Sequence, residues 1–207
     1  MNSYEYPQIF VDVPKNLRMF ALEGIDGVGK SEQKVLVIKT LQKLGIKAEG
    51  VTTPSASGIG TFLRANLYRL EPWERSTLFL LDMIRILRNH INYDGVLVWD
   101  RYKDSSIASN KDMAPEESAR WVRVLPDPIR TFLLDMPPED VYKKRTASLH
   151  EHSIDLAWQR MKYRRYHTLV RRNPNRIVVI DADKSRIEVT SIIVEAITSD
   201  LRKIGFL

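Results

Sequence analysis

Met19-Phe20-Ala21-Leu22-Glu23-Gly24-Ile25-Asp26-Gly27-Val28-Gly29-Lys30-Ser31 is the stretch that decides the fold. Its first four residues form an apolar run of the length expected for a buried strand. The next part, Gly24 to Ser31, matches the pattern G-x-x-x-x-G-K-[ST] at every required position. Glycines there let the backbone curl, so that successive N–H groups point inward at phosphate oxygens. Lys30 is expected to reach the β- and γ-phosphates of ATP from a solvent-facing position, and the Ser31 hydroxyl to ligate Mg²⁺. A helical pattern over residues 30–44 would add the positive end of its dipole to the same phosphates. The plainer reading is a glycine turn at a strand-to-helix corner. The strand before the loop and the helix after it favour the phosphate loop.

Outward from this loop, short apolar runs at 47–52, 96–99, 131–134 and 176–180 read as further strands. Between them, helical spacing is found over 58–70, 73–91, 116–124, 138–146, 154–172 and 185–203. Strands that are nearly all apolar and alternate with helices predict an α/β domain, its parallel sheet covered on both faces. The chain has 207 residues, which at about 150 residues per domain fits one large domain. With 43% hydrophobic and 28% charged residues, its composition excludes disorder as the main state. Zero cysteines exclude a disulfide scaffold, a thiolate metal site and a cysteine nucleophile, and suit a reducing cytoplasm. The sequence holds no apolar run of membrane-spanning length, and residues 1–17 read as an extension without the pattern of a secretory signal. A net charge of +6 fits anionic ligands without choosing among them.

A second signal is Asp100-Arg101-Tyr102, directly after the 96–99 strand. An acid at the carboxyl end of a buried strand is where a nucleotide-binding sheet places its magnesium-organising carboxylate. Alone it could be a surface ion pair at a strand end; beside the phosphate loop the site reading gains. Arg101 would then clamp a substrate phosphate with its planar fork.

With these residues the chain resembles the thymidylate kinase family over roughly residues 19–201. The likeness rests on the loop with Gln33, on Leu63-Arg64, Leu78-Phe79, Asp100-Arg101-Tyr102 with Ser105 and Ala108, Leu125-Pro126-Asp127-Pro128, Leu134-Asp135 and Val179-Ile180-Asp181-Ala182. The resemblance implies a five-stranded sheet of order 2-3-1-4-5, ATP and dTMP as substrates, Mg²⁺, and a homodimer formed through residues 58–91. It also implies that Asp26 touches the sugar 3′-OH, and that Arg101 and Arg64 lie at the acceptor phosphate. Ser31 and Asp100 would organise the metal, and Ser105 would join the substrate site. Phe79 would stack on the base, and Ala182 would border the adenine. Phe79 could equally be a core aromatic on an apolar helix face.

The chain departs from the family at four places. Thr52 stands where an acceptor-phosphate arginine is usual, Met83 where an arginine reads the thymine edge, Ser109 where an aromatic closes the pocket, and Glu32 where a hydroxyl residue follows Ser31. Two of these fall on base recognition, which implies looser base discrimination or a kinase for a different nucleotide or nucleoside. Residues 143–152 are the place for a lid, with Arg145 as its catalytic candidate. A solvated basic helix end is the other reading of that segment. The run Arg160, Lys162, Arg164, Arg165, His167, Arg171, Arg172 could serve a nucleic-acid-binding NTPase. Its spacing scatters charge around the helix, which favours a solvated helix with one or two residues turned into a nucleotide site. Trp158, Met161 and Leu169 are then expected to do the packing.

Overall fold

The computed structural model describes residues 17–56, 58–146 and 155–207. Residues 1–16 of the expected extension, residues 147–152 of the expected lid and the Arg145 side chain lie outside the described residues. Five strands, β1 (Arg18–Glu23), β2 (Ala48–Thr52), β3 (Val96–Asp100), β4 (Arg130–Asp135) and β5 (Ile177–Asp181), form one sheet of order β2-β3-β1-β4-β5. Every pairing is parallel. β1 is central, with Phe20 in register with Val98 on one side and Arg130 on the other. Its residues Met19 to Glu23 are all buried, as a strand covered on both faces requires.

The helices are α1 (Lys30–Lys43), α2 (Ile59–Asn66), α3 (Pro72–Asn89), α4 (Lys103–Ala108), α5 (Pro115–Trp121), α6 (Pro138–Thr146), α7 (Leu156–Arg172) and α8 (Arg186–Lys203). A short 3₁₀ turn, Val122–Val124, follows α5. Among the described residues, no helix is long and apolar enough to cross a membrane. Ends differ from the sequence reading by a few residues, and α2 stops at Asn66 instead of running to 70. The one helix absent from that reading is α4. It has six residues and buries Lys103, Asp104 and Ser105 beside Ile107 and Ala108, so it carries no apolar periodicity to detect.

Topology puts the chemistry at one edge. From β1 the chain crosses to β2 on one side and later to β4 on the other, so a crevice opens at the carboxyl ends of β1 and β3. Gly24 leaves β1 with φ +141°, and a Cβ built there would lie 2.6 Å from the Leu134 carbonyl oxygen. The loop therefore packs against the end of β4 at a distance only glycine permits. Gly24→Ala is expected to lower unfolding free energy by about 1–3 kcal/mol. A urea titration in which the variant matches the wild type would show that this close approach is dispensable.

Candidate active site

Glycine again sets the geometry where the loop meets α1. Gly29 caps the helix at φ +99° with no side-chain cap, which leaves the first N–H groups of α1 open to an anion. Lys30 is buried, with its Nζ donating to the Ile25 carbonyl at 2.6 Å. This corrects the expected solvent-facing lysine: the ammonium folds inside its own loop. Burial and the nearby Arg101 charge pull its pKa down to about 7, against the opposing pull of Asp26, Asp100 and Glu23. A phosphate beside it favours the charged form.

Ser31 Oγ donates to Asp100 Oδ2 at 2.5 Å. The pair joins the start of α1 to the end of β3, as the expected metal pair requires. These are hard oxygen donors, and Asp100 is buried. Among the described residues no group of three or more acids and histidines could hold a metal by itself. One carboxylate and one hydroxyl nonetheless fit Mg²⁺, which keeps waters and takes its other oxygens from substrate phosphates. Lys34 stands next to the pair, 3.8 Å from Asp100 Oδ2 and bonded to the Thr52 hydroxyl.

Asp26 and Arg101 meet directly. Arg101 has φ +68°, a backbone conformation that costs a non-glycine residue about 1–3 kcal/mol. Its N–H is held by the Leu22 carbonyl at 3.2 Å. Asp26 also takes the Lys162 ammonium and, at 2.8 Å, the Gln159 amide, while its own N–H donates to Gln159 Oε1 at 3.0 Å. Burial works against the charge on Asp26, but Arg101 and Lys162 outweigh it and hold the carboxyl well below its usual range.

Glu23 lies beneath this cluster, fully buried. It accepts from the Tyr102 N–H at 2.8 Å, the Ser105 N–H at 3.2 Å, the Ser105 hydroxyl, and the Tyr166 hydroxyl at 2.9 Å. Burial, reinforced by Asp104, raises its pKa to about 7. Ser105 was expected to join the substrate site. Its hydroxyl bonds Glu23 and Tyr166.

The other expected residues divide between two sides of the loop. Ala182 lines a cavity of about 270 Å³ together with Gly27, Gly29, Gln33, Met136 and Val189, which fits an adenine-side pocket. Glu32 pairs with Arg186 at 2.7 Å on its rim. Phe79 is half-buried against the core. Arg64 is exposed and donates to the carbonyls of Pro54 and Ser55. It is thus tied to the loop after β2, and the Asp26–Arg101 cluster is built without it. Asp82, buried in α3, fixes the same loop through the Ser55 N–H and hydroxyl, both at 2.6 Å. Met83 is 1% exposed and belongs to the core.

Sequence reasoning missed Glu23, Gln159, Lys162 and Tyr166 as a set. α7 buries Gln159, Lys162, Tyr166 and Leu169, a stripe at helical spacing whose first three members are polar. Trp158 and Met161, expected to pack, are only partly buried. The detectable signal was the spacing of a glutamine, a lysine and a tyrosine at i, i+3 and i+7, masked by the basic residues around them.

Glu23 yields a test. Its pKa is raised in the folded chain to about 7 from an ordinary 4.5, so the folded state retains a proton that the unfolded chain releases. The stability this proton gives is present below about pH 4.5 and is lost as pH rises to about 7, by up to about 3 kcal/mol. Over that window the wild type should lose this much relative to Glu23→Gln, in which other titrating groups cancel. A difference between the two proteins that stays flat in urea titrations would mean an ordinary carboxylate.

A family model described as Thymidylate kinase matches residues 22–193. A thymidylate kinase of Chlorobaculum tepidum is 29% identical over 210 residues, covering 86% of this chain and 96% of that protein. One of Bifidobacterium longum (strain DJO10A) is 29% identical over 206 residues, with 89% and 97% covered. A probable thymidylate kinase of Archaeoglobus fulgidus is 33% identical over 130 residues, 58% of this chain and 65% of that protein. The family match runs from the last residues of β1 into α8 and takes in the loop, the end of β3, α7 and the cavity at Ala182. On that match, the chain belongs to the thymidylate kinase family.

Proposed function

We propose that this chain transfers the γ-phosphoryl group of ATP to the 5′-phosphate of dTMP, giving dTDP and ADP. The observation that carries the reading is a phosphate loop with a different site on each side. The cavity at Ala182 lies toward one side, and the half-buried Asp26–Arg101 cluster lies on the other. An oxygen of the acceptor phosphate forms a bond to the γ-phosphorus while the bond to the β–γ bridging oxygen breaks. That acceptor oxygen is already anionic, so no general base is needed and catalysis is positioning and charge neutralisation. Lys30 and the loop N–H groups would hold the β- and γ-phosphates, and Arg101 the acceptor phosphate. Asp26 would meet the sugar 3′-OH, Phe79 the base and Ala182 the adenine. Arg145, in a lid over 143–152, would stabilise charge on the transferring group. Ser31 and Asp100 would hold Mg²⁺, which supplies further charge neutralisation when bound.

Assembly and location follow from weaker signs. Phe62, Tyr68, Trp73 and Leu81 are exposed along α2, the turn after it and α3, and such a surface supports a homodimer through this region. The lack of cysteine supports a cytoplasmic enzyme. Nucleic-acid binding gains no support from α7. Arg160 and Arg172 pair with Glu139 and Glu116, Arg165 is bonded to the carbonyls of Ile107, Asn110 and Met113, and Lys162 is buried.

Base selection should be looser than a polar reading site gives. Met83 lies in the core, so this position supplies no arginine to hydrogen-bond the base edge. Losing one charged hydrogen bond removes about 1.5–3 kcal/mol of selectivity, and an apolar wall rejects a wrong edge weakly. Release of ADP with dTMP, dUMP, dCMP and a purine monophosphate tests both points, with Lys30→Ala as the inactive control. Turnover of dTMP is expected, with at least one other base within about a hundredfold in kcat/KM. No turnover of dTMP overturns the function, and a preference above about ten-thousandfold overturns the loose selection.

A further inference from the structure

A lysine is an unusual residue to bury on the inner stripe of a surface helix. Lys162 is 4% exposed, and its Nζ reaches Asp26 alongside the Arg101 guanidinium. One carboxylate thus stands between two cations, with Gln159 donating one further bond to it through a neutral amide. Burial lowers the Lys162 pKa, and Arg101 adds to this, so that Asp26 compensates only in part. A buried positive charge left partly unbalanced favours an added anion. The group that Arg101 is proposed to bind is one: a phosphate monoester, carrying close to two negative charges near neutral pH.

The surrounding residues identify what this lysine replaces. At the end of β2, where the family resemblance implies an arginine for the acceptor phosphate, this chain has Thr52. The lysine touching Thr52 is Lys34, which faces Asp100 of the metal pair. Lys162 instead shares the carboxylate that holds Arg101. We propose that Lys162 is a second cationic ligand of the acceptor 5′-phosphate, brought in from α7 in place of the arginine missing at Thr52. The proposal rests on the acceptor reading given above. Arg101 would contact the phosphate through its planar fork, and Lys162, a point charge, would take an oxygen on the α7 side. Gln159 would keep Asp26 in place.

The test compares two ligands that differ only in the phosphate. Calorimetric titration of dTMP and of thymidine is carried out on the wild type, Lys162→Gln and Lys162→Arg. Glutamine can still donate to Asp26 while removing the charge, and Lys162→Met serves the same purpose if the glutamine variant does not fold. Neutralising Lys162 should weaken dTMP by about ten- to a hundredfold and leave thymidine within about twofold. Lys162→Arg should restore most of the preference for dTMP. Equal losses for both ligands, or a preference for dTMP that does not change, would overturn the proposal and leave Lys162 as a support for Asp26. Failure of the acceptor reading shows elsewhere: the wild type itself would then bind dTMP no better than thymidine.

Discussion

The Asp26 carboxylate receives the Arg101 guanidinium, the Lys162 ammonium and the Gln159 amide, and so joins three separate pieces of chain. These are the loop after β1, the turn after β3 and the inward face of α7. Parallel strands bring the first two together, because β1 and β3 are neighbours that end at the same edge. α7 joins them through charge and apolar packing together, since Gln159 and Lys162 reach Asp26 while Tyr166 and Leu169 lie in the hydrophobic core. A helix held this way is sensitive to whatever binds at its carboxylate. On the proposed reading an anionic substrate would compete with Asp26 for the same cations, so these contacts would also recognise the ligand.

Glu23 supports this arrangement from below. It joins Tyr102, Ser105 and Tyr166, which brace the positive-φ backbone of Arg101. Its pKa near 7 means that the brace is about half ionised near neutral pH. In its neutral form the carboxyl leaves the positive charge of Arg101 available to Asp26. Lys30, also near 7, has the opposite character. It is a cation whose charge is favoured by the phosphates it is meant to hold.

The phosphate loop and the end of β3 were legible in the sequence because each needs particular residue types at fixed spacing. Glycines at 24 and 29 meet steric demands that other residues cannot, and Asp100 follows an unbroken apolar strand. Alternation of strand and helix made the sheet legible for the same reason, since burial on both faces leaves an apolar signature. α4 was not legible, because it is short and three of the five residues it buries are polar. Nor was the inner face of α7, because hydrophobic spacing assumes that what is buried is apolar. Trp158 and Met161 looked like the packing side, while Lys162 and Gln159 looked like surface. The hydrogen bonds of Arg64 and Ser105 go to the loop after β2 and to Glu23. Sequence position does not show which partner a side chain takes.

The dependence of the site on Asp26 is open to a double-mutant cycle on stability, using Asp26→Asn, Lys162→Met and the combined variant in urea titrations. Asp26→Asn leaves Arg101 and Lys162 as adjacent, uncompensated cations, so removing the Lys162 charge as well should relieve part of the damage. The account predicts a coupling of about 1 kcal/mol or more, within the 0.5–3 kcal/mol seen for residues in one buried network. Effects that add to within about 0.3–0.5 kcal/mol, as for independent sites, would contradict it.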